Sequence, residues 1–217
     1  MTDFVAARQS MVDCQVRPSD VTQYAIIDAL LWAPRERFVP RSQREVAYAD
    51  AEIRISSDRS LMAPRTFAKM LEAAQIGPDD LVLDLAPGLG YSSAVISRLA
   101  AAVVAIEPDE AHVTDATEIM QDLDLDNVLV SHGTPAEGDS SHGPYDVIFI
   151  NGGVEHIPET LEAQLKEGGR LVALVQEGTC GQCRVRIRAN GIFSERRYFD
   201  ATAGVLSGFE SEKAFAF

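Results

Sequence analysis

The sequence predicts an α/β protein built on a mostly parallel sheet, and three observations point to it. From residue 79 onward, apolar runs rich in Val, Ile and Leu alternate with stretches of helical spacing. The runs are continuously apolar, as expected of strands covered on both faces. A glycine-containing loop, DLAPGLGY (84–91), follows the first run and leads into a helical stretch. Parallel sheets bind ligands at such strand ends.

The strand candidates are LVLDLA (81–86), AVVAIEP (102–108), NVLVSHG (127–133), YDVIFING (145–152) and RLVALVQ (170–176). Between them, SSAVISRLAAA, DEAHVTDATEIMQDL and PETLEAQLKE have helical length and apolar spacing, and Gly168-Gly169 reads as the stop of the last. The tail changes character. RVRIRA, SERRYFDA and EKAFAF read as antiparallel strands joined by glycine-containing turns. Before residue 79, VTQYAIIDALLWA is an amphipathic helix stopped by Pro34, and SLMAPRTFAKMLEAAQ ends in a helix with Pro64 near its start. No repeat or low-complexity linker divides the chain. The expected organisation is one domain, residues 1–217, with a helical cap over 1–78 and an α/β core over 79–217.

Composition narrows the function. The 217 residues, 46% hydrophobic, suffice for one sizeable core. A net charge of −14 argues against the nucleic-acid backbone as the main partner. The start, MTDFVAARQS, lacks an apolar signal core, and no run approaches the ~20 apolar residues of a membrane span. The expected setting is the cytoplasm, without a membrane partner. Three cysteines, Cys14, Cys180 and Cys183, are too few for a disulfide framework. Cys180-Gly-Gln-Cys183 lacks the second pair a structural zinc needs, and it falls where a hairpin loop is expected. No metal site is expected.

The loop carries the chemistry. Gly88 and Gly90 can take backbone angles closed to other residues and present no side chain to a ligand. Glu107 ends the second strand, where a carboxylate can accept both hydroxyls of an adenosine ribose. A dinucleotide site wants a third glycine, and Ser93 stands at its offset. Asp84 at the loop mouth would repel a pyrophosphate but suits an ammonium or sulfonium group. S-adenosylmethionine carries both, so the pattern favours it over a nicotinamide cofactor. The plain alternative is a glycine-rich turn that holds no ligand.

From about Ile26 to the end of the sheet, the chain resembles the protein-L-isoaspartate O-methyltransferases. The resemblance rests on IDALLWAPRERFVP, AYADAEIRI, LVLDLAPGLGYSSAVISRLAAAVVAIEPDE, LDLDNVLVSHG, PYDVIFINGGVEHIP and LKEGGRLVALV. Pro34-Arg35-Glu36-Arg37-Phe38-Val39 is the most specific part. It implies a Rossmann-like class I methyltransferase fold, with a seven-stranded sheet ending in an antiparallel hairpin. It further implies S-adenosylmethionine as cofactor and isoaspartyl residues of damaged proteins or peptides as methyl acceptors. By the same resemblance, Asp84, Ala86, Gly88 and Gly90 form the methionine-side loop, and Gly133 with Thr134 edges the adenine. Asn151 lies near the transferring methyl, and Ser60, Leu61 and Met62 line the acceptor side.

Three of these positions depart from the family pattern. Ala86 replaces the first loop glycine, Met62 replaces a serine, and Thr134 replaces an acid. Alternatives follow from them: a relative kept for binding only, or a methyltransferase for another small acid or a hydroxyl compound. A hydroxyl acceptor would need a base, and Glu155 or His156 is the candidate. Asn151-Gly152-Gly153-Val154 lacks the prolines and aromatic of an exocyclic-amine methyltransferase. The alternating Arg184, Arg186 and Arg188 read as a half-exposed strand, and Trp32 as part of the cap core.

Overall fold

A computed structural model describes residues 2–57 and 59–211. The N-terminal part comprises helices α1 (Phe4–Met11), α2 (Tyr24–Trp32) and α3 (Pro64–Ala74), and a small hairpin of β1 (Ile53–Arg54) with β2 (Ser60–Leu61). The main sheet follows. It is built from β3 (Leu81–Leu85), β4 (Ala102–Glu107), β5 (Val128–His132), β6 (Tyr145–Val154), β7 (Leu165–Glu177), β8 (Cys180–Ala189) and β9 (Ile192–Asp200). Helices α4 (Tyr91–Ile96), α5 (Glu110–Asp122) and α6 (Glu159–Ala163) connect its parallel strands.

The sheet order is β5-β4-β3-β6-β7-β8-β9. The first five strands run parallel, while β8 and β9 are antiparallel to their neighbours. This is the seven-stranded, mostly parallel sheet with an antiparallel C-terminal hairpin that the family resemblance implied. The order reverses between β3 and β6, so their carboxyl ends form the crevice where ligands bind in open sheets.

Alternate residues along each strand divide the core in two. Val82, Val103, Val147, Phe149 and Val172 face the N-terminal helices, where Phe67 meets Phe149 edge-on at 5.8 Å. Leu83, Leu85, Ile148, Ile150 and Leu171 face α6 and the segment carrying Leu206 and Phe209. In α3, Phe67, Met70, Leu71 and Ala74 recur at helical spacing and are all buried. Each large side chain buried in this way contributes ~1.5–3 kcal/mol.

Several elements differ from the expectation. The first helix, α1, had no apolar stripe to announce it; Asp3 caps it, accepting from Val5 and Ala6. PETLEAQLKE forms helix only over Glu159–Ala163, because Leu165 already pairs with Tyr145. Gly168 (φ +80°) and Gly169 instead make a bulge in β7, and a Cβ on Gly169 would lie 2.8 Å from the Lys166 carbonyl oxygen. Cys180 and Cys183 are not in a loop: the turn is Gly178-Thr179 and both cysteines belong to β8. Three residues apart on a strand, they face opposite sides, Cys180 exposed and Cys183 buried. Arg184, Arg186 and Arg188 share one face and meet Glu177, Glu195, Glu162 and Glu167. The expected strand EKAFAF lies outside the described residues. Among the described residues, no helix is long and apolar enough to cross a membrane.

Candidate active site

The loop after β3 turns by left-handed backbone. Ala86 has φ +59°, Gly88 +61° and Gly90 +91°. For Gly90 the lack of a side chain is also a packing demand, since a Cβ would sit 2.6 Å from Met120 Cε and 3.2 Å from Ala116 Cβ. Ala86 holds its conformation although it carries a Cβ, which costs an L-residue ~1–2 kcal/mol. Its N–H donates to Ile106 O at 2.8 Å, tying the loop to β4.

Asp84, just before the turn, is fully buried. Its carboxylate accepts from Ser92 Oγ (2.7 Å), Ser93 Oγ (2.6 Å) and Asn151 Nδ2 (2.5 Å). Burial pushes its pKa up to about 6, against the pull of those three hydrogen bonds. Asp84 thus joins the start of α4 to β6 and fixes Asn151, which also donates to Leu85 O at 3.1 Å. Ser92 and Ser93 escape a sequence reading because they sit inside a stretch patterned as buried helix.

Glu107 is also fully buried. Gly88 N–H donates to its Oε2 at 2.8 Å. His112 Nδ1 lies 3.5 Å from Oε1, and Arg59 Nη2 lies 3.5 Å from Oε2. The nearby Glu107 carboxylate raises the His112 pKa, opposed by burial. Arg59 Nη2 also donates to Ala86 O. Neither His112 nor Arg59 was marked by any sequence motif.

Glu107, Thr134, Pro108, Arg59 and Leu206 line a cavity of about 740 Å³ beyond the ends of β4 and β5. A second cavity, about 260 Å³, is lined by Ser60, Met62, Asn151, Gly152, Arg54 and Arg59. Between them, a notch bounded by Ala86, Pro87, Ser92, Leu61 and Met62 has about 10 Å³ of free space. Gly133 lies beside the first cavity, its N–H donating to Glu107 O at 3.1 Å. Asp84, Ala86, Gly88, Gly90, Glu107, Thr134, Asn151 and Ser60–Met62 therefore converge on one end of the sheet. Glu155 and His156 follow β6 at that end but line none of the three cavities. Their N–H groups donate to Phe209 O, and His156 lines a separate surface cavity with Pro158 and Gly208.

Two supports of this site come from outside the parallel strands. Arg35 is fully buried, donating from Nε to Ala47 O (2.7 Å) and from Nη2 to Met62 O (2.6 Å). Its guanidinium lies 4.8 Å from the Tyr91 ring centroid, so it connects the cap to both the acceptor-side loop and α4. Burial lowers its pKa, opposed by Tyr91. The chain after β9 returns over the crevice, where Gly153 N–H donates to Gly204 O and Leu206 N–H to Gly153 O. Leu206 covers Gly152 so closely that a Cβ there would be 2.6 Å from Leu206 Cγ.

This sheet order, with the glycine loop after β3 and a buried carboxylate ending β4, defines the fold of the class I methyltransferases. A family model described as protein-L-isoaspartate(D-aspartate) O-methyltransferase matches residues 7–200. The chain belongs to that family. The protein-L-isoaspartate O-methyltransferase of Roseiflexus castenholzii is 35% identical over 189 residues, 87% of this chain and 86% of that protein. That of Aliivibrio fischeri is 32% identical over 205 residues, 93% of this chain and 99% of that protein. A solved protein-L-isoaspartate O-methyltransferase structure superposes with a TM-score of 0.81 at 25% identity, covering 93% of this chain and 66% of that longer one. A Plasmodium falciparum structure, described as a complex with S-adenosyl-L-homocysteine, has the same fold at a TM-score of 0.79 and 18% identity, covering 95% and 99%.

Proposed function

We propose that this chain is an S-adenosylmethionine-dependent protein-L-isoaspartate O-methyltransferase acting on isoaspartyl carboxylates of damaged proteins and peptides. The observation that carries the reading is the placement of the buried Glu107, bonded to the Gly88 amide, at the edge of the larger cavity, with Asn151 and Ser60–Met62 lining the adjoining one. The residues fit the cofactor. About 740 Å³ is within the range of small-molecule sites, and a buried carboxylate is what a ribose diol needs.

Glu107 would hold the ribose, and Thr134 with Gly133 would border the adenine through a hydroxyl in place of an acid. The loop Asp84, Ala86, Gly88 and Gly90 would shape the methionine side, with Asp84 acting through Asn151 and the serines. S-adenosylmethionine supplies a methyl group on a sulfonium, and a carboxylate oxygen, ionised at neutral pH, accepts it without a base. The protein's task is then alignment and exclusion of water. Asn151, held by Asp84, would orient the acceptor. Met62, buried and pinned by Arg35, would supply an apolar wall where the family pattern has a hydroxyl. The chain would work as one domain, residues 1–78 capping the core 79–217. Three free cysteines support a reducing, cytoplasmic setting.

The test is transfer of radiolabelled methyl from S-adenosylmethionine to an isoaspartyl peptide, with the aspartyl peptide as control. Label is expected only on the isoaspartyl peptide, as a base-labile ester. Glu107→Ala is expected to weaken S-adenosylhomocysteine binding about 10–100-fold, from the loss of ~1.5–3 kcal/mol in hydrogen bonds to a charged group. Absence of label transfer to the isoaspartyl peptide by the native protein at millimolar S-adenosylmethionine would end the proposal.

A further inference from the structure

Arg59 occupies the acceptors that the proposed donor would use. Its Nη2 donates to Ala86 O and lies 3.5 Å from Glu107 Oε2, and the residue is only 9% exposed. A guanidinium is permanently charged and suits paired oxygen acceptors. A donor bound as proposed brings an ammonium and a sulfonium to the Ala86 side and a diol to Glu107. Both cannot be served together. The notch beside Ala86, with about 10 Å³ of free space, also has no room for a methionine chain while Arg59 lies across it.

The same side chain borders all three cavities, including the one of about 260 Å³ with Ser60, Asn151 and Arg54. That cavity is where an anionic methyl acceptor would enter, and Glu52 is the carboxylate on its lining. A long, unbranched side chain at the edge of the β1–β2 hairpin reaches either side by rotating its own bonds.

We propose, on the basis of the donor-site reading above, that Arg59 couples the two subsites. Without donor it bridges Ala86 and Glu107 and closes the methionine side. Displaced by the donor, its guanidinium turns into the acceptor cavity and pairs with the carboxylate to be methylated. The donor therefore binds first, and an arginine takes over the positioning that the family pattern gives to a hydroxyl at Met62.

The experiment compares the native protein with Arg59→Gln and Arg59→Lys. It measures S-adenosylhomocysteine affinity by calorimetry and KM for an isoaspartyl peptide by label transfer. Thermal unfolding confirms that the variants fold. Arg59→Gln is expected to bind S-adenosylhomocysteine at least 5-fold more tightly, since the plug is gone, and to raise peptide KM at least 10-fold. Arg59→Lys, which keeps the charge without the planar fork, is expected to lie between the two in KM. Equal or weaker S-adenosylhomocysteine binding by Arg59→Gln would overturn the plug, and an unchanged peptide KM would overturn the pairing with the acceptor. If the native protein and both variants all fail to bind S-adenosylhomocysteine, the donor-site reading falls and takes this proposal with it.

Discussion

Replacing Asp84 with asparagine is expected to remove a loss of stability with rising pH, with a sign that the geometry dictates. The carboxyl is fully buried, and burial holds its pKa at about 6 despite hydrogen bonds from Ser92, Ser93 and Asn151. In an unfolded chain the same group titrates near ~3.9. Between those two values the folded state binds the proton and the unfolded state releases it. The contribution of Asp84 to stability is therefore fully present below pH ~4. It is lost as pH rises and levels off above pH ~6. Two pKa units correspond to about 3 kcal/mol. In Asp84→Asn the side chain keeps an acceptor for Asn151 Nδ2, and the serine hydroxyls can rotate to accept.

Urea unfolding of both proteins between pH 4 and pH 8 isolates the effect. Other groups contribute in the opposite direction, such as Asp139 and Asp146, whose partial burial is outweighed by hydrogen bonds that lower their pKa. They cancel in the difference between variant and native protein. The variant is expected to gain about 2 kcal/mol relative to the native protein from pH 4 to pH 7. A difference that stays flat over this range, or moves the other way, would refute the argument that burial dominates over the three hydrogen bonds.

Arg35→Met is expected to destabilise the protein by about 2–5 kcal/mol, because Ala47 O and Met62 O lose their donors inside the core. Chemical denaturation gives the loss, and peptide KM is expected to rise with it as Met62 loosens. A thiol reagent is expected to titrate Cys14 and Cys180 rapidly in the native protein. Cys183 is expected to react only on unfolding, because it is buried and burial pushes its pKa up to about 12. Mild oxidation followed by mass spectrometry is expected to find no Cys180–Cys183 bridge.

The parts of the site that a sequence reader can find are those set by local order. The glycines at 88 and 90 and the acid at 107 stand at fixed offsets from apolar runs, and a parallel sheet must bring those run ends together. Segments whose partner is distant in the chain give no such sign. Leu165 has the spacing of helix, but Tyr145 is waiting to pair with it, and the pairing wins. Residues 203–209 have no periodicity; they are held by Gly153, whose own neighbour Gly152 leaves room for Leu206.

The same reasoning explains how the departures at Ala86 and Met62 relate to Arg59. Taken singly from the sequence, each change reads as a loss: a methyl group in place of a glycine, and a thioether in place of a hydroxyl. In the folded protein, the strained Ala86 peptide exposes its carbonyl to a guanidinium that also faces Glu107, and Met62 lines the notch beside it. A loop that tolerated the strain without Arg59 would make the arginine incidental. A double-mutant cycle of Arg59→Gln with Ala86→Gly distinguishes the cases. If the hydrogen bond to Ala86 O supports the strained peptide, glycine at 86 relieves the need for it, and the cost of losing Arg59 falls by about 1 kcal/mol. If the two substitutions simply add, the loop holds itself and Arg59 serves the ligands alone.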